Sequence, residues 1–577
     1  MANNSPHARL WAQLYTEVHS GIMANQGNGG REHWGTRIGL VLAMAGNAIG
    51  LGNFLRFPGQ AAANGGGAFL IPYFICLLLM AIPLMWLEWT QGRYGGVRGH
   101  GTTPAMFQLM WRHPIAKYLG VLGLFIPTLI LFYYSYLGSW TLGYSIKTLL
   151  GQTPQVTQTQ LREGMTADEV SQTVLAPYAQ FLDQYLGRTG DGVFLQPDPF
   201  TLGIFAVVYF LTLWLMVRGV SGGIELLAKI AMPLLFLLAI VLMVRVFTLG
   251  NPVSQEYGVM DGIAFLWEPK WYVERDGQQV FVLLDPKTWL AAAGQVFFSL
   301  SLGMGAIQCY ASYLRRKDDV TLTGLSTTAS NSFAEVVLGA SIALPAASAF
   351  FGVAAAQVIA SKGSFYLGFV SMPAVFSFLP AGNILGFLWF LLLFFAAMTS
   401  VVAMCQPIIA FLEDEFGMTR PRAVAALGIF WLIGVQFAIW FKGGVDVYDF
   451  WSGTFGPPLM ALIEVIILMW IFGGDKIWRD MHEGALLRVP RFFYFCAKYI
   501  TPIILAVILA FWARDNVIAP LLAGELATRP IEAAGLQVGW HIWVIRGFIL
   551  LVFILQIAAI WYAWNVRKSM QRAEVIE

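Results

Sequence analysis

Two stretches of this 577-residue chain place glycine, amide and hydroxyl side chains in the middle of apolar runs. The first reads AGNAIGLGNFLRFP and carries Gly46, Gly50, Gly52 and Asn53. The second reads GQVFFSLSLGMGA and carries Ser299, Ser301, Gly303 and Gly305. Glycine inside a helix costs ~1 kcal/mol against alanine and loosens the backbone. A helix interrupted there leaves N–H groups free at one end and C=O groups free at the other. The N–H end, around Leu51 and Gly52, can hold an anion such as a carboxylate. Free carbonyls, helped by Asn and Ser oxygens, can hold an ammonium group or a small hard cation. A zwitterion uses both ends at once, and a cation beside its carboxylate would couple the two binding events.

These residues need a scaffold, and the composition says which kind. Hydrophobic residues make up 57% of the chain and charged ones 12%, about half the charge of a soluble protein. So few charges cannot clothe a soluble surface, which leaves a polytopic membrane protein. Apolar runs lie near 37–62, 68–92, 115–149, 200–217, 223–248, 287–313, 328–354, 383–412, 422–441, 446–473, 492–513 and 541–565. Twelve runs of spanning length predict an all-α protein of twelve transmembrane helices with both termini on one face. Long runs without alternation exclude a membrane β-barrel.

Segment 150–199 carries six acids against Arg162 and Arg188, while the connection after span two holds Arg93, Arg98, Arg112 and Lys117 and no carboxylate. The positive-inside rule therefore puts both termini in the cytoplasm and 150–199 outside, in the plasma or inner membrane. Segment 355–382 is the second long outer connection, and both should hold short helices. Residues 1–30 form an N-terminal extension, an interfacial helix or a disordered tail.

The two interruptions fall in the first span of each of two five-span halves, 31–250 and 251–474. Spans eleven and twelve and a basic tail follow in 475–577. Matched interruptions in two halves point to an inverted repeat with a site at the midplane, because unwound backbone in a membrane must line a cavity. Other classes fare worse. A net charge of +2 leaves no basic face for nucleic acid. GVSGG at 219–223 fits GxSxG but sits in a short turn without Asp and His partners, so no catalytic residue is assigned and an enzyme is not expected. A channel would show a charged or carbonyl ring with subunit symmetry. Cys76, Cys309, Cys405 and Cys496 lie in or beside apolar runs and read as small buried hydrophobes.

The longest motifs are REHWGTRIGLVLAMAGNAIGLGNFLRFP, AAANGGGAFLIPY, PLMWLEWTQGRYGG, FYYSYLGSWTLGY, FFSLSLGMGAI, FFAAMTSVVAMCQPIIAFLEDE and DVYDFWSGTFG. Together they resemble the neurotransmitter:sodium symporter family from about residue 31 to the last span. The resemblance implies a sodium-coupled symporter of neutral, hydrophobic amino acids that works by alternating access, with spans one, two, six and seven rocking against the rest. An amino-acid sensor of the same fold is the alternative. The oligomeric state is not readable.

By the same resemblance, two sodium ions bind. Site one would use the carbonyl of Ala48 and the side chains of Asn53, Ser299 and Asn331. Site two would use the carbonyls of Gly46, Ile49 and Ala396 and the hydroxyls of Thr399 and Ser400. The substrate carboxylate would meet the N–H groups of Leu51 and Gly52 and the hydroxyl of Tyr134. Its ammonium would meet the carbonyls of Ala48 and Phe298 and the hydroxyl of Ser301. Ile130, Met304 and Met404 would complete the side-chain pocket with Tyr134, Phe298, Ser301 and Ser400. Leucine-selective members of the family have smaller or stiffer residues at Ile130, Met304 and Met404. Two methionines make an adaptable wall, which suggests leucine, methionine and aromatic substrates.

Arg56 and Asp449 would pair as an outer gate, and Arg31, Trp34, Ser312, Tyr313, Gln406 and Asp414 would close the inner side. Glu335 shares a helix face with Asn331. Chloride-dependent relatives have serine there, so a fixed carboxylate implies transport without chloride. Glu88 is expected to hydrogen-bond the broken backbone of span six.

Overall fold

The computed structural model describes residues 32–157, 161–190, 192–275, 277–522 and 539–574. The N-terminal extension 1–30 and Arg31 therefore lie outside the described residues. Ten continuous helices are long and apolar enough to cross a membrane: Gly67–Gly96, Ala116–Leu149, Pro199–Val217, Val220–Phe247, Val320–Phe351, Gly382–Phe416, Arg420–Trp440, Gly444–Met481, Arg491–Ile518 and Trp540–Asn565. They are spans two to five and seven to twelve. Spans one and six are the broken ones.

Span one runs as Arg37–Ala48 and Gly52–Ala63, with a bend of 49° between the halves. It starts on Thr36, whose hydroxyl caps the N–H of Gly39. It stops because Ile49 is extended (φ −80°, ψ 98°). Span six runs as Pro286–Leu300 and Ala306–Ala311, each too short to cross alone. Asp285 caps its start, and Ser301, Gly303 and Gly305 then take left-handed φ of 55°, 67° and 80°. Only glycine adopts that region without penalty. The two glycines are needed for space as well. A Cβ on Gly303 would stand 2.2 Å from the carbonyl oxygen of Pro457 on span ten, and one on Gly305 2.2 Å from that of Gly123 on span three.

The helices form a buried centre and a lipid-facing rim. Spans three and seven are 83% and 89% buried over their most apolar windows, whereas spans eleven and twelve are 22% buried, so the last two are peripheral. Large apolar side chains such as Phe210, Ile429, Ile503 and Leu550 project outward from spans four, nine, eleven and twelve. Span eight lies along span three, with the cavity described below between them and the two broken helices. All four cysteines are buried, and none forms a disulfide among the described residues.

The two long connections do hold short helices: Ala167–Val170 and Ala176–Leu186 in one, Val353–Ser361 and Met372–Ser377 in or beside the other. A two-stranded hairpin, β1 (Tyr272–Arg275) and β2 (Gln278–Phe281), was not foreseen in the all-α reading. It lies between spans five and six. Its Arg275 bonds Asn64 Oδ1 at 2.6 Å and Asp285 Oδ2 at 3.1 Å, tying the outer ends of both broken helices together.

Candidate functional site

The two breaks face each other across a cavity. Its lining contains Ala48, Gly50, Gly52 and Asn53 from span one and Phe298, Ser299, Ser301 and Met304 from span six. Ile130 and Tyr134 of span three and Ser400 and Met404 of span eight close the sides. The structure thus brings together every residue expected in the substrate pocket. Leu51 contributes its backbone N–H, which donates to Tyr134 Oη at 2.9 Å. Asn47 and Gly50 also line the cavity and were not foreseen, although both stand inside the motif that carries the break. No charged side chain is among the lining residues. Close packing sets the shape. A Cβ on Gly52 would meet the Phe298 ring at 2.8 Å, and one on Gly50 the Tyr134 hydroxyl at 2.8 Å.

The groups expected at sodium site one are in mutual contact. The amides of Asn53 and Asn331 meet at 2.8 Å, and the Asn331 amide meets the Ser299 hydroxyl at 3.1 Å. Asn53 and Asn331 are fully buried. Carbonyl, amide and hydroxyl oxygens without a carboxylate in the set suit a weakly held monovalent cation better than a structural divalent one.

At site two, Gly46 packs directly on Thr399, where an added Cβ would stand 3.0 Å from the threonine Cβ. Thr399 and Ser400 hydroxyls both donate to the Ala396 carbonyl at 3.2 Å. The extended Ile49 keeps the end of the inner half-helix free of further helical bonding.

Glu335 is buried directly behind site one. It accepts hydrogen bonds from Tyr73 Oη (2.6 Å), Ser299 Oγ (3.0 Å) and the side-chain amide of Gln295, and the Asn331 amide lies 3.5 Å away. Glu88 accepts from the N–H of Gly303 at 2.7 Å, the broken-backbone contact expected of it.

The gates differ from expectation in detail. Among the described residues no ion pair joins Arg56 to Asp449. The Arg56 guanidinium lies over the Phe298 ring at 4.8 Å, and Asp449 accepts from Tyr133 Oη at 2.6 Å. An aromatic face and a phenol, both already in place on spans six and three, satisfy the two charges separately.

On the inner side Trp34 Nε1 donates to Tyr310 O at 3.1 Å and Gln406 Nε2 to Tyr313 Oη at 2.5 Å. Ser312 Oγ donates to Cys309 O within its own helix, and Asp414 accepts from the N–H of Gly101 at 2.7 Å. Sequence reasoning missed Arg420. It donates to Gln406 Oε1 (2.9 Å) and Met216 O (2.6 Å) and stands within 4 Å of Glu413 and Glu32. It also missed Glu225, which accepts from Gly35 N and Thr36 Oγ1, each at 2.7 Å. An acid in the apolar run GGIELLAKIAM was the signal for Glu225, since such residues are functional by default. The signal for Arg420 was weaker, one of two arginines in RPR at a helix start after Gly417.

Two discontinuous helices around a midplane cavity, inside a ring of continuous spans, define a secondary transporter rather than an enzyme. The chain belongs to the Sodium:neurotransmitter symporter family, whose model matches residues 31–559. It is a sodium-dependent multi-pass membrane transporter. A sodium-dependent transporter of Methanocaldococcus jannaschii is 30% identical over 511 residues, covering 87% of this chain and 94% of that protein. The sodium-dependent nutrient amino acid transporter 1 of Drosophila mojavensis is 26% identical over 510 residues, covering 83% and 76%. Among solved structures, MhsT in complex with L-phenylalanine superposes with a TM-score of 0.67 at 26% identity, covering 83% of this chain and 99% of that one.

Proposed function

We propose that this protein is a sodium-coupled symporter of neutral, hydrophobic amino acids, taking leucine, methionine and aromatic side chains, and that it needs no chloride. The observation that carries the reading is the uncharged cavity between the breaks. Leu51 N–H and Tyr134 Oη converge at one point of it, while Ile130, Met304 and Met404 supply an apolar wall. A carboxylate suits the first region and a hydrophobic side chain the second. The flexible methionines can repack around side chains of different shape. A structural neighbour solved with L-phenylalanine and relatives named for nutrient amino acids support the same class.

Two sodium ions would bind beside the substrate, one through Ala48, Asn53, Ser299 and Asn331, the other through Gly46, Ile49, Ala396, Thr399 and Ser400. The buried Glu335 carboxylate, one contact behind site one, would supply the fixed negative charge that chloride otherwise brings. Sodium orders the break in span one, and the amino acid then bridges both broken helices. The outer side closes as Arg56 leaves Phe298 for Asp449, and the inner network around Arg420 opens. Both termini would face the cytoplasm.

The test is uptake of a panel of labelled neutral amino acids into proteoliposomes, with and without a sodium gradient and with chloride replaced by gluconate. Sodium-dependent, chloride-indifferent uptake of leucine, methionine and phenylalanine is expected. Strict leucine preference would refute the adaptable pocket, and uptake indifferent to sodium would refute the coupling. Counterflow separates a carrier from a sensor, which binds but does not exchange.

A further inference from the structure

Away from the cavity, two carboxylates are completely buried between spans two, six and ten. Glu88 of span two and Glu464 of span ten are both 0% exposed. Each uses one oxygen: Glu88 Oε1 accepts from the N–H of Gly303 at 2.7 Å, and Glu464 Oε1 from the side-chain amide of Gln308 at 2.8 Å. Among the described residues their second oxygens have no hydrogen-bond partner, and neither does Oε1 of the fully buried Gln308, which sits on the second half of span six. Spans two and ten pack against each other and both acids bond to span six, and among the described residues no salt bridge joins either acid to a cationic side chain.

The other ionisable side chains on the packed elements do not resolve the problem. Arg93, further along span two, is already held by Asp480 and by the carbonyls of Asp318 and Glu483. On span three, the Tyr133 hydroxyl donates to Asp449 and the Tyr134 hydroxyl accepts from Leu51. Two like charges at membrane depth without a counter-ion are prohibitively desolvated. Two hydrogen bonds do not offset that, and the smallest cation that can is a proton.

We propose that Glu88 and Glu464 form a proton-binding site distinct from the sodium and substrate sites. Binding adds one proton to the free oxygen of one carboxylate, and the new O–H can donate to one unpartnered acceptor of the group. Release returns a carboxylate and a proton to water, with no other bond changed. The position gives the proton a task. Glu88 and Gln308 belong to spans two and six, and Glu88 also holds the break at Gly303. Glu464 belongs to span ten, across the seam along which alternating access would open. The protonated pair ties the two sides together, and hydration of the seam on inner opening frees the proton.

Infrared spectroscopy of the full-length protein in detergent tests the site without reference to any substrate. The deuterium-sensitive carbonyl stretch of a protonated carboxylic acid should be present at neutral pH. It should diminish in both Glu88→Gln and Glu464→Gln, with Glu335→Gln identifying the contribution of the acid behind site one. An unchanged band in both pair variants overturns the proposal. Should Glu464→Gln not fold, Glu464→Asp keeps an acid one methylene shorter, and a shifted band supports the site where an unshifted one overturns it.

A second arm addresses the cycle and rests on the proposed function. Proteoliposomes are loaded at a series of internal pH values. Initial sodium-driven uptake of phenylalanine should fall on internal acidification, by at most about tenfold per pH unit for one proton. That response should flatten in Glu464→Gln. An undiminished response in the variant overturns the link to the cycle. Absence of wild-type uptake overturns the proposed function instead, leaving the infrared result to judge the proton site.

Discussion

Replacing Tyr134 by Phe removes one oxygen atom and nothing else from the cavity wall. That oxygen receives the N–H of Leu51 at 2.9 Å, and the residue is 6% exposed. In the proposed complex the phenol turns to donate to the substrate carboxylate, beside the N–H groups of Leu51 and Gly52. A hydrogen bond to a charged group contributes about 1.5–3 kcal/mol, and each 1.4 kcal/mol is a factor of ten in affinity. Tyr134→Phe should therefore weaken amino acid binding by about tenfold to about a hundredfold. The fold should be little affected, because the freed Leu51 N–H opens onto a cavity and the ring keeps its packing. The assay is equilibrium binding of labelled phenylalanine to purified protein in saturating sodium, with thermal unfolding as the control for folding. A dissociation constant within about twofold of wild type, in a protein of unchanged stability, would refute the assignment of Tyr134 to the carboxylate.

Three further outcomes follow from named contacts. Gly303→Ala forces a left-handed φ on alanine, a cost of ~1–3 kcal/mol, and drives a methyl group into the Pro457 carbonyl. Thermal unfolding of the purified protein should shift clearly downward, and an unchanged midpoint would show that the break is not held by that contact. Glu335→Ser removes the fixed charge behind site one, so uptake should become chloride-dependent. Chloride-indifferent uptake by the variant would dismiss that role. Arg420→Gln breaks the links to Gln406, Met216, Glu413 and Glu32, so hydrogen–deuterium exchange across residues 33–48 should rise. Unchanged protection there would place the inner latch elsewhere.

Much of this molecule was legible in the sequence because the informative features are local. Hydropathy alone separates spans from connections, and a run of glycines with small polar residues marks a break wherever the chain folds. The cavity residues were equally legible, since Ala48 to Asn53 and Phe298 to Met304 are read along two short motifs. Glu88 could be assigned to the broken backbone near span six because an acid at membrane depth needs a donor, and broken backbone is the donor available; the structure names the donor as Gly303.

The tertiary structure decided which side chains meet, and here composition is silent. Arg56 faces a choice between Asp449 and an aromatic ring. It lies over Phe298 because that ring is already fixed by Gly52, while Tyr133 takes the carboxylate. Arg420 enters the inner network only because the start of span nine lies beside Gln406 and Met216. The hairpin at Tyr272–Phe281 depends on Arg275 reaching Asn64, more than two hundred residues away in the chain. Glu88 and Glu464 reach the same stretch of span six only when spans two and ten pack on it. A helix break is written into the backbone preferences of its own residues. A contact between distant side chains depends on ångström differences in packing that no stretch of sequence contains.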